Sequence, residues 1–234
     1  MSKLFLEMRK ELRHKSNKQH RDVKMKTYVD DTNYYGIKQS DMKGLVEEFT
    51  PRIKRLGVKR FIPIAEKLLQ DEWFEESDFA LRLMKTLQDK FDKDTLTVFE
   101  KWIDKYITSW VLCDKLSAGL ISPLLKSRPS TAKSMIMWAA SKDRMKKRAA
   151  IGSFMLHARR GNFLDYIFLI SEMMIKENDD MLQKLTGLLL KEASKSGQRE
   201  VLEFLKTRKH KMPKETFNQA AQNISEKTRK IHSL

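Results

Sequence analysis

The stretch Phe79-Ala80-Leu81-Arg82-Leu83-Met84-Lys85-Thr86-Leu87-Gln88-Asp89-Lys90-Phe91 sets a large apolar side chain at every fourth residue: Phe79, Leu83, Leu87 and Phe91. That interval brings all four onto one stripe of an α-helix and predicts a helix with Arg82, Lys85, Gln88 and Asp89 toward water. Spacings of three and four recur through most of the 234 residues, and the alternation that marks strands is hardly visible. With 8 Gly and 5 Pro the chain is seldom interrupted. Helix-stopping Gly or helix-starting Ser, Asp and Asn mark most of the breaks. They fall at Asn33 to Gly36, Gly57, Asp71 to Trp73, Asp92 to Asp94, Thr108-Ser109, Ser127 to Ser130 and Ser141 to Asp143. Others fall at Arg160 to Asn162, Glu177 to Asp180, Ser196-Gly197 and Met212-Pro213. The expected product is roughly ten or more helices of about 10 to 18 residues joined by short turns.

Alternate helices resemble one another. Phe79 to Leu87, Arg148 to Leu156 and Lys184 to Lys191 each join a basic residue to a compact run of small and aliphatic ones. Asp114 and Arg148 lie 34 residues apart, Arg148 and Lys184 36. This period suits stacked antiparallel helical hairpins of the HEAT or armadillo kind. The expected fold is therefore all-α, one solenoid domain over residues 1–234 with a concave basic groove. Equivalent positions of successive inner helices line such a groove, so Asp114, Arg148 and the region Lys184 to Leu188 are expected to share it.

Lys and Arg number 47 against 31 Asp and Glu, a formal charge of +16. An excess of this size favours a polyanion, because each cation that neutralises a phosphate releases condensed counterions. A ribosome-associated or merely basic soluble protein has the same charge. Basic residues gather at Lys142 to Arg148, at Arg52 to Arg60 and at Lys206 to Lys214. Each run reads either as a solvated face or as phosphate contacts. A single cysteine, Cys113, excludes an internal disulfide framework and points to a reducing compartment. The amino-terminal stretch Met1 to Arg9 lacks the long apolar region of a secretory signal, and no apolar run reaches the roughly 18 residues of a membrane span. A cytoplasmic protein with no membrane association is expected. The five histidines lack metal-ligand spacing, so no metal or cofactor is expected. Trp102 and Trp138 read as core, Trp73 stands at a helix boundary with either role open, and Met135, Met137, Met173 and Met174 read as core filler.

Two segments carry a more specific message: Ser109-Trp110-Val111-Leu112-Cys113-Asp114, and Trp138-Ala139-Ala140-Ser141 followed by Arg148-Ala149-Ala150-Ile151. Together they resemble the core signature of the AlkD-like DNA alkylation repair glycosylases. The helical layout is similar over most of the chain, but the motifs are confined to residues 108–155 and, more weakly, 183–193. The resemblance implies a monofunctional glycosylase that hydrolyses the N-glycosidic bond of cationic N3- or N7-alkylpurines in duplex DNA, and a solenoid with ordinary polar ends is expected to be a monomer. It implies that Asp114 is catalytic, that Trp110 contacts the sugar of the lesion and that Arg148 holds DNA. Lys147 and Lys184 are expected to add phosphate contacts. It also implies that the damaged nucleotide stays largely within the duplex, so no deep base pocket is expected.

The chemistry asks for these residue types. An N3- or N7-alkylated purine is already cationic, and its glycosidic bond breaks without protonation. What remains is to stabilise charge developing on the deoxyribose and to place a water on its far face, the oxocarbenium problem of glycoside hydrolysis. One carboxylate aimed at the sugar supplies both functions, and a neighbouring aromatic face adds about 0.5 to 2 kcal/mol of cation–π attraction. Trp110 and Asp114, four apart, share a helix face in the first turns of a helix that Thr108 or Ser109 is expected to cap. Arg148 can grip a phosphate bidentately. Each residue also has a purely structural reading: Trp110 as core filler, Asp114 as a first-turn carboxylate answering the helix dipole, Arg148 as a bridge to acids of the next repeat.

The chain departs from the family pattern in places. The aromatic expected near Gly187 is Leu188 here, and Met145 stands where relatives often carry tryptophan. Tyr28, before Tyr34-Tyr35-Gly36-Ile37, resembles the family's opening segment with an interval shifted by about one residue, which makes it a candidate DNA contact. Loss of the third ring leaves a second class of function open, a HEAT-type module that binds nucleic acid or protein without chemistry of its own. No lysine is placed as a nucleophile, so no strand cleavage by a lyase step is expected.

Overall fold

The computed structural model describes residues 3–27, 33–70 and 73–231. Among them every regular element is helical, apart from one isolated bridge between Asn33 and Trp73. The chain divides into two compact units, Met1–Leu120 and Ile121–Leu234.

The first unit contains α1 (Lys3–His14), α2 (Lys18–Thr27), α3 (Gln39–Leu56), α4 (Val58–Gln70), α5 (Phe74–Lys85), α6 (Thr95–Lys105) and α7 (Trp110–Leu116). Here α3 packs on α5 and α5 on α7, while α4 fills against α1, α3 and α5. The side chains of Lys101 and Trp102 on α6 donate to Glu66 on α4 at 2.7 and 3.3 Å. The apolar stripe that announces the fold is buried throughout: Phe79, Leu83, Leu87 and Phe91 all lie in the core, with Phe79 edge-on to Phe49 and Phe91 edge-on to Phe99. It does not, however, ride on one helix. The hydroxyl of Thr86 donates to the Leu83 carbonyl at 2.7 Å and the Leu87 amide to Met84 at 3.0 Å, which tightens the chain out of α-geometry after Lys85. A short 3-10 turn, Gln88–Lys90, then delivers Phe91 to the same core.

The second unit contains α8 (Ser122–Ser127), α9 (Ala132–Ala139), α10 (Arg144–Ala158), α11 (Leu164–Met174), α12 (Asp180–Ala193), α13 (Gln198–Arg208), α14 (Lys214–Ala220) and α15 (Glu226–Ile231). Its order is that of stacked hairpins. Helices α10, α12 and α14 pack successively in one layer, and α9 lies against α11 in the other. Arg144, at the start of α10, binds Asp179 at the start of α12, and Arg159, just past the end of α10, binds Glu192 near the end of α12. Those two links fix α10 and α12 as parallel neighbours, and the intervening α11 returns the chain. Gln183 with Thr216 and Lys191 with Gln222 repeat the arrangement between α12 and α14.

The period read from the sequence reappears in these links. Lys101 and Glu66 are 35 residues apart, Lys115 and Asp78 37, His157 and Ser122 35, Arg159 and Glu192 33, Arg208 and Glu172 36. A helical-hairpin repeat of this length is the signature of the solenoid class.

Several elements are shorter than expected, among them α7, α8, α14 and α15, each of 6 or 7 residues. Between α7 and α8 the helix widens into a π-helical segment, Ser117–Ile121. There the hydroxyl of Ser117 donates to the Cys113 carbonyl, and Pro123 brings no amide of its own to the ladder. Trp102 and Trp138 are core, as their spacing predicts. Met137 is not filler: Met135 and Trp138 point into the core from α9, which turns Met137 out to 71% exposure.

Candidate functional site

Helix α7 carries the first half of the candidate site. Ser109 stands at its N-cap position in extended conformation, yet its side chain makes no capping bond; its carbonyl accepts the Cys113 amide at 3.0 Å instead. Leu112, Cys113 and Leu116 form the buried face against α5. Trp110 and Asp114, one turn apart on the same side, are each half-buried. Two structural readings weaken accordingly. Trp110 is not enclosed as core indoles such as Trp102 are, and Asp114 lies beyond the first turn of α7, where a carboxylate answers the dipole.

Support for α7 comes from a carboxylate that sequence inspection passed over. Asp78 on α5, almost wholly buried, accepts from the Lys115 ammonium at 2.8 Å and from Arg82 Nε at 3.0 Å. Lys115 is the residue next to Asp114, so this ion pair holds the very turn that presents the candidate carboxylate.

Two more buried acids, Glu75 and Glu76, open α5. Glu75 accepts the Tyr35 and Gly36 amides at 2.9 and 3.1 Å and the Lys24 ammonium at 2.7 Å; Glu76 accepts Arg9 Nε at 2.9 Å and the Tyr35 hydroxyl. The ring of Tyr35 stacks on Trp73 at 4.1 Å. Burial, and then the hydrogen bond to Glu76, push the Tyr35 phenol above its usual range. Trp73 is thereby assigned: it pins the segment 33–37 to the start of α5. The available signal was an acidic run, Glu75-Glu76-Ser77-Asp78, enclosed between aromatics at a helix start. Tyr28 lies outside the described residues.

The second unit holds the residues expected to meet phosphates. Asp143 caps α10 by accepting the Lys146 amide at 2.9 Å. Arg148 sits in the second turn of α10 at 7% exposure, leading a fully buried run through Phe154. Lys147 is largely enclosed, and its ammonium pairs with Glu177 at 2.6 Å, so part of the expected cationic run ties repeats together. Lys184 on α12 is exposed and Leu188 half-buried. Between them, Gly187 carries no side chain for a steric reason. A Cβ there would come within 2.9 Å of the Thr216 carbonyl and 3.0 Å of Gln219 on α14, so an aromatic in this turn has to stand beside position 187.

Among the described residues no cluster of His, Cys, Asp and Glu is fit to hold a metal ion, and no helix is long and apolar enough to cross a membrane. A surface cavity of 580 Å³ beside α13, lined by Phe168, Phe204 and Arg199 among others, contains none of the candidate site residues.

The all-α fold of stacked helical hairpins defines the class, the helical-repeat proteins. The chain belongs to the DNA alkylation repair enzyme family, whose model matches residues 8–224. No curated protein matches it. Among solved structures it is similar to a chain described as "Predicted DNA alkylation repair enzyme from Enterococcus faecalis", with a TM-score of 0.80 over 91% of this chain and 98% of that one. Identity is 12%, so this likeness speaks for the fold alone.

Proposed function

We propose that the protein is a monofunctional DNA glycosylase that releases N3- or N7-alkylated purines from duplex DNA, working as a cytoplasmic monomer without metal or cofactor. The observation that carries this reading is the shared, half-buried face of Trp110 and Asp114 on α7, with the opposite face of that helix locked against α5. Asp114 stabilises the positive charge that grows at C1′ as the glycosidic bond breaks and its electron pair passes to the cationic purine, which leaves neutral. It then takes the proton of the water that adds to C1′. Trp110 faces the same developing charge with its ring. Arg148 and Lys184 are assigned to DNA phosphates, with Tyr28 as a further contact and Leu188 against the lesion; Lys147 reaches a phosphate only by exchanging its Glu177 partner.

Release of N7-methylguanine from methylated duplex DNA tests the proposal. The parent is expected to accelerate release, and Asp114→Asn to return it to the spontaneous rate while still binding undamaged duplex. Equal release by the two proteins at the spontaneous rate would leave the second reading, a non-catalytic nucleic-acid-binding relative. That alternative is favoured by one observation, the aliphatic Leu188 where the family resemblance calls for a ring.

A further inference from the structure

The three basic runs of the sequence differ once their partners are known. In the run 142–148, Arg144 binds Asp179 and Lys147 binds Glu177. In the run 206–214, Arg208 binds Glu172, and Lys206, Lys211 and Lys214 are exposed with Glu203 and Glu215 close by in the chain. In the run 52–60, Arg52 binds Glu7, but Lys54, Arg55, Lys59 and Arg60 are exposed and form no ion pair among the described residues. Residues 49–65 contain no Asp or Glu at all. Ile53, Phe61, Ile64 and Ala65 take the core positions of α3 and α4, which leaves the cations facing water on both sides of the Gly57 turn.

The neighbouring turn of the same unit adds to this corner. The Lys90 ammonium reaches the Lys54 carbonyl at 3.4 Å, which brings the 88–93 turn alongside the end of α3. Of the acids in and beside that turn, Asp89 and Asp94 are exposed, and Asp92 is occupied in capping α6: its Oδ1 accepts the Thr95 amide and hydroxyl at 3.0 and 2.8 Å. Lys59 and Arg60 also occupy the first turn of α4, which has no acidic residue. Cations there oppose the helix dipole. In α10 the same arrangement is offset by ion pairs with acids of the next repeat; in α4 Lys59 lies within the field of Asp92, which is itself engaged by Thr95, and Arg60 forms no ion pair among the described residues.

We propose that this corner, formed by Lys54, Arg55, Lys59, Arg60 and Lys90, is a second polyanion-binding face that takes the phosphodiester backbone of duplex DNA away from the lesion. Its choice of DNA rests on the glycosylase reading. The face grips charge and carries no base-reading pattern, so it holds the enzyme on undamaged duplex.

The test compares two variants with equal charge removed: Lys54→Gln/Lys59→Gln/Arg60→Gln at the corner, and Lys206→Gln/Lys211→Gln/Lys214→Gln in the second unit. Affinity for a 30-base-pair undamaged duplex is followed against salt. The corner variant is expected to lower the slope of log K against log salt by up to about 2.7, roughly 0.9 for each phosphate no longer neutralised. The control variant is expected to lower it much less, and Lys54→Arg/Lys59→Arg to keep the parent slope. Equal falls in the two Gln variants, an unchanged corner variant, or a loss confined to binding of phosphatidylserine vesicles would each overturn the proposal. Excision by the parent is scored separately. A slope drop without any excision leaves the face standing and removes the glycosylase; excision with no slope drop does the reverse.

Discussion

The carboxylate of Asp78 is shared between the Lys115 ammonium at 2.8 Å and Arg82 Nε at 3.0 Å, and this shared bond couples α7 to α5. Asp78→Asn removes the charge from a buried site and leaves two cations facing a neutral amide. Because Lys115 and Arg82 are each about a third exposed, both recover part of their hydration, and the expected loss is about 1 to 3 kcal/mol. Chemical denaturation measures it. The same variant is expected to slow excision more than it weakens DNA binding, since the turn it loosens presents Asp114.

Gly36 is the tightest glycine in the first unit. Its φ of 79° lies in the left-handed region, and a Cβ would run into the Asn17 carbonyl and the Arg21 amide. Gly36→Ala is therefore expected to cost about 2 to 4 kcal/mol or to pull α2 off the segment 33–37. Hydrogen exchange of the α2 amides distinguishes the two outcomes.

His157 gives a pH dependence. Its Nε2 lies 2.9 Å from the Ser122 carbonyl, and Phe163 closes on the ring at 5.0 Å. Burial, aided by the fields of Arg160 and Lys126, lowers the imidazole below its ordinary 6.5, against the pull of the Ser122 carbonyl. A folded-state value below the unfolded one means that the unfolded chain takes up the proton first as pH falls. Stability is full above 6.5 and declines from there down to the depressed folded value. The melting temperature of the parent is expected to fall across that window while that of His157→Gln stays flatter. Parallel curves would show that this imidazole contributes nothing to acid sensitivity.

Leu188→Trp restores a ring beside Gly187, where the sterics of α14 permit a side chain. If Leu188 faces the lesion, a cation–π contribution of about 0.5 to 2 kcal/mol raises the excision of N7-methylguanine by roughly 2- to 30-fold. An unchanged rate would mean that position 188 does not face the damaged base.

Much of the fold was legible from periodicity because apolar spacing directly encodes which face is buried. The breaks in the pattern fall between helices or at their ends, and the interval of 34 to 36 residues recurs in the links between repeats. What escaped was local hydrogen-bond geometry. The stripe from Phe79 to Phe91 has the spacing of one long helix, yet α5 ends at Lys85, where the Thr86 and Leu87 amides bond three residues back. Met137 has the composition of core and the wrong phase. The placement of Trp110 and Asp114 on one helix face was legible through their spacing. The burial of Asp78, Glu75 and Glu76 was not, because a buried carboxylate and a solvated one look alike in sequence, and beyond the local Arg82 their cations arrive from 37 to 67 residues away.

The ladder of links one repeat apart bears on how the chain folds. In the second unit the side-chain links of Lys191 on α12 to Gln222 in the turn after α14 and of Glu172 on α11 to Arg208 on α13 span 31 and 36 residues, separations short enough to favour local pairing of neighbouring repeats. The first unit is different. Arg9 on α1 waits for Glu76, 67 residues later, and that acid belongs to the same helix start that fastens Tyr35. One helix start, that of α5, therefore gathers two segments distant in sequence, α1 and the stretch 33–37, and losing its acids would release both.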